Sequence, residues 1–218
     1  MNKDYIAFFD LDHTILNTNS GKIMGIAAFR EGIIKKQKFI EGVIYGLGSK
    51  LGLVEGDTIM PRLVKWLNGH PEQYIVDFAR QVFNEVLKYT IRKEAIQEIE
   101  FHRNNNAHLV MLSASVNFIC KPVIEFLGLD DLICTDPHVI NHRFSGHTQG
   151  GVCFGEEKLV RSRSFIQTHG LSLHDAFFYT DSFTDLPMLE AVGNPVAVTP
   201  DRKLAAAARS RGWQIYNW

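Results

Sequence analysis

The sequence has few cysteines, no marked excess of either charge and no long uninterrupted hydrophobic run among its 218 residues. Its three cysteines, Cys120, Cys134 and Cys153, are odd in number and show no C-x-x-C spacing, which indicates free thiols in a reducing compartment. Lysine and arginine total 23 against 24 acidic residues, and the formal net charge is -1. A chain with this balance has no field to attract DNA or an anionic membrane, so we expect no nucleic-acid partner.

Membrane insertion and export are not expected either. No uncharged apolar stretch approaches the ~18 residues that a membrane span needs. Acidic and strand-like residues begin at Asp4, where a signal peptide would place its apolar segment. We therefore expect a cytoplasmic globular protein, and the sequence makes no prediction about its oligomeric state.

Four apolar runs of strand length lack polar alternation, as central strands covered on both faces do. They span residues 5–9, 107–115, 176–182 and 195–199. The later three are separated by helical patterns at 116–127 and 156–169, and a further helix is predicted at 185–192. Strands that alternate with helices predict an α/β fold with a doubly wound, mostly parallel sheet.

Residues 20–106 interrupt this alternation with apolar residues at helical spacing and almost nothing strand-like. A mostly helical insert of roughly 70 residues is therefore predicted between the first two strands, and a helix at about 91–105 returns the chain to the sheet. The glycine-rich segment 46–52 lies inside this insert rather than after a strand, which favours a turn over a phosphate-binding loop.

Polar residues that suit phosphate chemistry follow the predicted strands. In an open α/β sheet, ligands bind beyond the carboxyl ends of the strands, where the loops converge. Three carboxylates there can hold Mg²⁺, while a lysine, a serine hydroxyl and loop N–H groups can hold phosphoryl oxygens. The residues at these ends are Asp10 and Asp12 in "FFDLDHTIL", Ser113 and Ser115, Lys158 in "GVCFGEEK", and Asp181 and Asp185 in "YTDSFTDLP".

Each of these residues taken alone also has a purely structural interpretation. Asp12 is compatible with a solvated loop acid, and Asp185 with an acid that complements a helix dipole. Ser113 and Ser115 suit the cap of the following helix, and Lys158 suits an exposed surface position. The order in which all of them occur favours the site.

That order, Asp-x-Asp-x-Thr, a serine at a strand end, a lysine, and then Asp-Ser-x-x-Asp, resembles the haloacid dehalogenase-like superfamily. Within it, the chain is most similar to the phosphoserine phosphatase-like subfamily, and the resemblance covers all 218 residues. The resemblance implies a Rossmann-like core formed by residues 1–18 and 91–218. It also implies that residues 19–90 form a helical cap at the C1 position, after the first strand.

The resemblance also implies roles for individual residues. Asp10 would attack phosphorus and form an aspartyl-phosphate, and Asp12 would protonate the leaving alcohol and then activate water. Mg²⁺ would be held by the Asp10 carboxylate, the Asp12 backbone carbonyl and Asp181. Ser113, Ala114 and Lys158 would bind the phosphoryl oxygens. Thr14 and Asp185 would support this site.

The chain departs from phosphoserine phosphatases at two motifs. It has "SASVNF" where they usually carry a Ser-Gly-Gly-Phe-like run, and "TDSFTD" where they usually carry Gly-Asp-Gly-x-Asn-Asp. Glycines let the backbone approach a ligand closely, so Ala114, Ser115 and Ser182 argue against serine phosphate as the substrate. Arg30, Glu31 and Arg62 are the candidates in the insert for binding the charges of a substrate.

We therefore expect a Mg²⁺-dependent phosphatase of a small phosphorylated metabolite. A phosphotransferase or mutase on the same scaffold is the first alternative. A phosphatase of a hydrophobic or lipid-like phosphomonoester is the second, because Ile40 and residues 43–53 are rich in apolar side chains. A receiver domain is disfavoured by length and motif order, and a phosphate-binding protein without turnover is disfavoured by Asp12.

Overall fold

The computed structural model describes residues 3–42 and 64–218. A seven-stranded sheet in the order β4-β3-β2-β1-β5-β6-β7 forms its centre. Every neighbouring pair is parallel except β3 and β4. The doubly wound, mostly parallel α/β fold predicted from the sequence is confirmed. The strands are β1 (Tyr5–Phe9), β2 (Ala107–Val116), β3 (Asp131–Ile140), β4 (Arg143–Gln149), β5 (Phe177–Thr180), β6 (Asn194–Val198) and β7 (Gln214–Tyr216).

β1 shows why the central strands are apolar without alternation. Ala7 and Phe9 belong to a hydrophobic cluster on one face of the sheet, and Ile6 and Phe8 to a second cluster on the other. Because successive side chains point to opposite faces and helices cover both, a polar residue at any of these four positions would be buried. The "YIAFF" run is the result.

Seven helices have both ends within the described residues. The predicted helices at 116–127, 156–169 and 185–192 are confirmed to within a residue or two, the last being preceded by a 3₁₀ turn at Phe183–Asp185. The predicted returning helix is also present. The helices are α1 (Ser20–Arg30), α2 (Glu72–Glu85), α3 (Lys93–Asn104), α4 (Asn117–Leu127), α5 (Glu156–His169), α6 (Leu186–Ala191) and α7 (Arg202–Arg211).

The β3–β4 hairpin was not predicted from the sequence. Its connection consists of Asn141 and His142, and both have positive φ angles of 49° and 60°. A two-residue turn of this kind matches the twist of an antiparallel pair and usually carries Gly at its second position. His142 replaces that glycine, so the strongest sequence signal for the hairpin is missing. β7 was missed as well, because three residues at a sheet edge are too short for a periodic pattern.

The two segments that join residues 19–90 to the rest of the chain lie side by side. Leu16 and Ile91 form an antiparallel bridge. The Asn17 amide donates to the carbonyl of Thr90 at 2.9 Å, and the Arg92 amide donates to that of Ile15 at 2.9 Å. Entry and exit of the predicted cap are therefore held together at one place on the sheet.

The later part of the predicted cap packs on the sheet domain. On α2, Arg80 makes two hydrogen bonds with the carboxylate of Glu125 on α4, at 2.9 and 3.3 Å. The ring centroids of Phe83 and Phe126 are 5.7 Å apart. The Gly69 amide also donates a hydrogen bond to the carbonyl of Phe144 in β4 at 2.8 Å. Residues 69–85 are thus packed against α4 and β4. The division of the chain into a core and a cap at 19–90 stays a prediction.

Several expectations fall on residues 43–63, outside the described part of the chain. They are the turn at 46–52, the apolar segment 43–53 and Arg62. Within residues 3–42 and 64–218, no helix combines the length and hydrophobicity that crossing a bilayer requires.

Candidate active site

The first acidic pair lies where β1 ends. The Asp10 amide donates to the carbonyl of Tyr179 on β5 at 2.9 Å, which extends the sheet contact by one residue. The chain then turns sharply: Asp12 keeps an extended backbone, and His13 adopts φ 56°. This turn places Asp10 and Asp12 in two different polar environments, as expected for a pair that follows the end of a strand.

Lys158 is buried between two carboxylates. Its ammonium nitrogen lies 2.8 Å from Asp10 Oδ1 and 2.8 Å from Asp185 Oδ2. Only 2% of Lys158 and 2% of Asp185 are exposed, so Lys158 is not an exposed surface lysine. Asp185 also accepts a hydrogen bond from the Thr180 hydroxyl at 2.6 Å. A charged group is buried this deeply only when it is paired, and here the pairs come from three separate elements.

A glycine positions the helix that carries Lys158. Gly155 precedes α5 with φ 57° and ψ -123°, a conformation that residues with a Cβ atom strongly disfavour. A Cβ at this position would also contact the Thr184 carbonyl oxygen at 3.6 Å. The chain can therefore enter α5 close to the loop that follows β5, which brings Lys158 to Asp185.

The electrostatics of the site are dominated by buried negative charge. Burial raises the pKa of Asp10 to about 7, and Lys158 offsets only part of the effect of burial and of Asp185. Burial and the carboxylates of Asp10 and Asp185 raise the pKa of Asp181 to about 8. Burial lowers the pKa of Lys158, but the attraction of Asp10 and Asp185 outweighs it, and the net shift is upward.

Asp12 is held by the segment that leads into α1. Its Oδ1 accepts a hydrogen bond from the Ser20 amide at 2.8 Å, and its Oδ2 accepts one from the Asn19 side chain at 3.0 Å. The Ser115 hydroxyl lies 3.5 Å from the same Oδ2 and 3.0 Å from the Ser20 hydroxyl. Burial raises the pKa of Asp12, and the hydrogen bonds from Ser20 oppose that rise. Asp12 is therefore not a solvated loop acid.

The serines near the end of β2 do not cap α4. The residue before that helix is Val116, and no side chain caps it. Ser113 is buried at the end of the strand, and its hydroxyl accepts a hydrogen bond from the Ser115 amide at 3.1 Å. The neighbouring Ala114 carbonyl accepts one from the Thr135 hydroxyl at 2.8 Å. These bonds fix the end of β2, which the resemblance assigns to phosphate binding.

Thr14 is fully buried behind the acidic pair. Its hydroxyl has no hydrogen-bond partner among the residues that the structure describes. A buried hydroxyl without a partner is costly, and such groups often occur at functional sites. The supporting role predicted for Thr14 has no contact in the structure that explains it.

In the loop after β5, this chain has Ser182 where the related motif has glycine, and the serine forms hydrogen bonds within the loop. The Ser182 hydroxyl accepts from the Thr184 amide at 3.3 Å and lies 2.9 Å from the Thr184 hydroxyl. Asp201 holds the loop from the other side: its amide donates to the Asp181 carbonyl at 2.9 Å, and its Oδ2 accepts from the Phe183 amide at 2.8 Å.

Sequence reasoning missed four residues that position the site, namely Asn19, Ser20, Thr180 and Asp201. Asn19 and Asp201 carry a recognisable signal, because each stands directly before a helix and accepts a hydrogen bond from that helix's first turn. Thr180 is the last residue of β5, next to a motif residue. Ser20 has no signal of its own, since its contact with Asp12 depends on the turn at His13.

Comparison with known proteins agrees with this geometry. The family model described as "haloacid dehalogenase-like hydrolase" matches residues 7–190. A "probable phosphatase" of Mycobacterium tuberculosis is 28% identical over 97% of this chain and 75% of its own length. A "histidinol-phosphatase" of Neisseria meningitidis is 25% identical over 98% of both chains. The enzyme class expected from the motifs, a hydrolase of the phosphatase type, is confirmed at this level.

Solved structures show the same fold. A protein of unknown function from Bordetella pertussis Tohama I superposes with a TM-score of 0.89 at 25% identity, covering 99% of both chains. A substrate-bound phosphoserine phosphatase superposes with a TM-score of 0.73 at 17% identity, covering 99% of this chain and 94% of the other. With the family model covering most of its length, the chain belongs to the haloacid dehalogenase-like hydrolases.

Proposed function

We propose that this protein is a Mg²⁺-dependent phosphomonoesterase that acts through an aspartyl-phosphate on Asp10. The observation that carries the proposal is the buried Lys158, held at 2.8 Å from both Asp10 and Asp185. A fixed ammonium beside a carboxylate, at the carboxyl edge of a parallel sheet, is suited to binding a phosphoryl group next to a nucleophile. The names of the relatives support the same reaction class.

The donor set fits Mg²⁺. Asp10, Asp181 and Asp185 act on one another electrostatically, and a single lysine balances them. Burial is the main cause of the raised pKa values of Asp10 and Asp181, and the neighbouring carboxylates add to the rise. A divalent cation would offset this buried negative charge. Asp10, Asp181 and the Asp12 carbonyl offer only oxygen ligands, the type that Mg²⁺ prefers. When bound, the ion would offset the repulsion between the anionic nucleophile and the anionic substrate.

The first half of the reaction follows from the two environments of the acidic pair. An Asp10 carboxylate oxygen attacks phosphorus, and the bond from phosphorus to the leaving alcohol breaks. Lys158 stabilises the charge on the transferred phosphoryl oxygens, together with Ser113 and Ala114 near the end of β2. Asp12, whose pKa is raised by burial, gives its proton to the leaving oxygen.

In the second half, Asp12 takes a proton from water, and the resulting hydroxide attacks the aspartyl-phosphate. The bond between phosphorus and the Asp10 oxygen breaks and releases inorganic phosphate. Hydrogen bonds from Ser20 and Asn19 hold both oxygens of Asp12 during these transfers. A separate acid and nucleophile are needed because one carboxylate cannot be phosphorylated and transfer protons at the same time.

The substrate class we propose is the phosphomonoester of a small metabolite. The relatives differ in their named substrates, histidinol phosphate for one and phosphoserine for another, so only the shared chemistry is carried over. The side chains of Ser115 and Ser182 occupy positions that are glycine in the related motif, which disfavours serine phosphate itself. The residues behind the lipid-like alternative, 43–53, lie outside the described part of the chain.

The test is a screen of the purified protein against a panel of phosphomonoesters with Mg²⁺, alongside Asp10→Asn and the matched control Asp175→Asn. We expect Asp10→Asn to lower turnover by several orders of magnitude without changing the circular dichroism spectrum. Asp175→Asn, at an exposed acid, should keep full activity. Acid quenching of the wild type with labelled substrate should leave phosphate on the peptide that contains Asp10.

Two outcomes would contradict the proposal. Label on Ser113 together with activity in Asp10→Asn would exclude the proposed nucleophile. Transfer of the label to an added alcohol, with no release of inorganic phosphate, would identify a phosphotransferase or mutase instead of a hydrolase.

A further inference from the structure

A cluster of side chains that can bind a metal lies at the amino ends of the strands, whereas the candidate active site lies at their carboxyl ends. It consists of His108 at the start of β2, Asp131 at the start of β3 and His169 at the last position of α5. One side-chain ligand atom from each residue lies within 4.8 Å of the other two. Among the described residues, this is the one group of three or more such side chains that meets this distance.

We propose that His108, Asp131 and His169 form a second metal site, which takes a borderline transition-metal dication such as Zn²⁺, Co²⁺ or Ni²⁺. Two imidazoles and one carboxylate are a donor set that these ions prefer, whereas Mg²⁺ prefers oxygen ligands alone. The proposed site is thus distinct in position and in chemistry from the oxygen-only set of Asp10, Asp12 and Asp181.

The hydrogen bonds of His169 prepare it as a ligand. Its Nδ1 lies 2.8 Å from the Phe165 carbonyl oxygen, one helical turn earlier. A carbonyl oxygen can only accept, so Nδ1 carries the hydrogen, and the neutral ring presents Nε2 with a lone pair. A hydrogen bond from the far ring nitrogen to a backbone carbonyl is the usual way in which proteins fix a metal-binding histidine.

His108 and Asp131 supply the other side of the site. His108 Nε2 lies 2.7 Å from Asp131 Oδ2, and the ring nitrogen donates this hydrogen bond to the carboxylate. An ion bound between them takes the place of the hydrogen on Nε2, and the neutral ring then carries its hydrogen on Nδ1. Tetrahedral ligands about 2.1 Å from an ion are roughly 3.4 Å apart. The His108 and Asp131 ligand atoms, now 2.7 Å apart, must therefore separate slightly, and that of His169, within 4.8 Å of both, must approach them by at most roughly 1.4 Å. Asp131 is 44% exposed at its side chain, and His169 is exposed, so both can rotate.

The surroundings favour a cation. His169 lies in the last turn of α5, where the unpaired carbonyls give the helix end a partial negative charge. The Phe165 ring stacks on His169 at 4.1 Å between centroids and lies 5.8 Å from the His108 ring, which forms an apolar wall behind the ligands. All three ligands start or end regular elements, so the backbone beneath the site is fixed.

An ion at this position would join β2, β3 and α5. Lys158 lies in the first turn of α5, and His169 ends the same helix. The proposed ion therefore stabilises the helix that carries the buried lysine, at a distance from the reacting groups. Its effect is expected on stability rather than on the chemical step.

The experiment is calorimetric titration of the full chain with Zn²⁺ in saturating Mg²⁺, which keeps the oxygen-only set occupied. We expect the wild type to bind one Zn²⁺, and His169→Gln and Asp131→Asn to bind it at least tenfold more weakly. His174→Gln is the matched control, because His174 also lies beside an aspartate, Asp175 at 3.4 Å, and belongs to no such cluster. It should bind as the wild type does.

A second readout is thermal unfolding. Zn²⁺ should raise the melting temperature of the wild type and of His174→Gln, and should have a smaller effect on His169→Gln. Since His169 is exposed, its replacement is not expected to impair folding. Absence of Zn²⁺ binding to the wild type, or equal affinity in the wild type and His169→Gln, would overturn the proposal and leave His108 and Asp131 as an ordinary hydrogen-bonded pair.

Discussion

At the residue scale, His102 shows how the core behind the site constrains a titratable group. The Tyr179 hydroxyl donates to Glu98 at 2.7 Å, so it accepts from His102 Nε2 at 2.7 Å. The proton of the neutral ring is therefore on Nε2, and Nδ1 accepts from the Tyr5 hydroxyl at 2.9 Å. His102 is fully buried, and burial lowers its pKa to about 4.

This burial predicts a specific dependence of stability on pH. The pKa of His102 is lower in the folded protein, at about 4, than the ordinary value of 6.5. The stability that comes from keeping it neutral is present above pH 6.5 and is lost as the pH falls towards 4. Between pH 7 and 4, the wild type should lose more unfolding free energy than His102→Gln, by up to about 3 kcal/mol. Urea unfolding at several pH values measures this difference.

The control is His174→Gln, which removes an exposed histidine and should follow the wild-type curve at every pH. Parallel pH curves for the wild type and His102→Gln would show that His102 is protonated as easily in the folded chain as in the unfolded one.

At the scale of elements, the segment between α6 and β6 makes a close backbone contact with the 3₁₀ turn Leu173–Asp175 before β5. Gly193 follows α6, and its amide donates to the Leu173 carbonyl at 2.9 Å. A Cβ atom at Gly193 would collide with the carbonyl of His174. By contrast, a Cβ at Gly25 in α1 would have no heavy atom within 4 Å, apart from its own helix backbone and chain neighbours.

These two glycines give a matched prediction. Gly193→Ala should lower the free energy of unfolding by about 1–3 kcal/mol, because the backbone must shift to admit the methyl group. Gly25→Ala should raise it by about 0.5–1 kcal/mol, because alanine loses less conformational entropy in a helix. Chemical denaturation of both variants tests the pair. A Gly193→Ala variant as stable as the wild type would mean that the two backbone segments are not in contact.

At the scale of the whole molecule, the buried negative charge links metal binding to stability. Asp10, Asp181 and Asp185 repel one another, and one lysine cannot balance all three. An ion that binds only the folded chain stabilises it by about 2.7 kcal/mol at a free concentration of 100 times the dissociation constant.

We therefore expect Mg²⁺ to raise the melting temperature of the wild type in a concentration-dependent manner, and chelator to reverse the rise. Asp181→Asn should require much more Mg²⁺ for the same rise, because it loses a charged ligand. Asp175→Asn, at the exposed acid, should respond as the wild type does. If Mg²⁺ left the wild-type melting temperature unchanged, or shifted that of Asp181→Asn equally, Asp181 would not be a ligand.

Much of the fold could be predicted because it depends on local pattern. The uninterrupted apolar runs identified β1, β2, β5 and β6, since each is covered on both faces. The boundaries of α5 were predicted to the residue, because glycines precede and follow it. The hairpin β3–β4 was missed since His142 adopts a left-handed conformation without the usual glycine.

The sequence by itself determined the family, the α/β class and the acidic, hydroxyl and basic residues at the carboxyl ends of the strands, because these follow from order and spacing along the chain. Only the tertiary structure decided that Lys158 lies between Asp10 and Asp185, that Ser20 and Asn19 hold Asp12, and that His108, Asp131 and His169 meet at the amino ends of the strands. The physical reason is that each of these contacts joins elements distant in sequence or depends on a turn such as that at His13, whose geometry is set by packing.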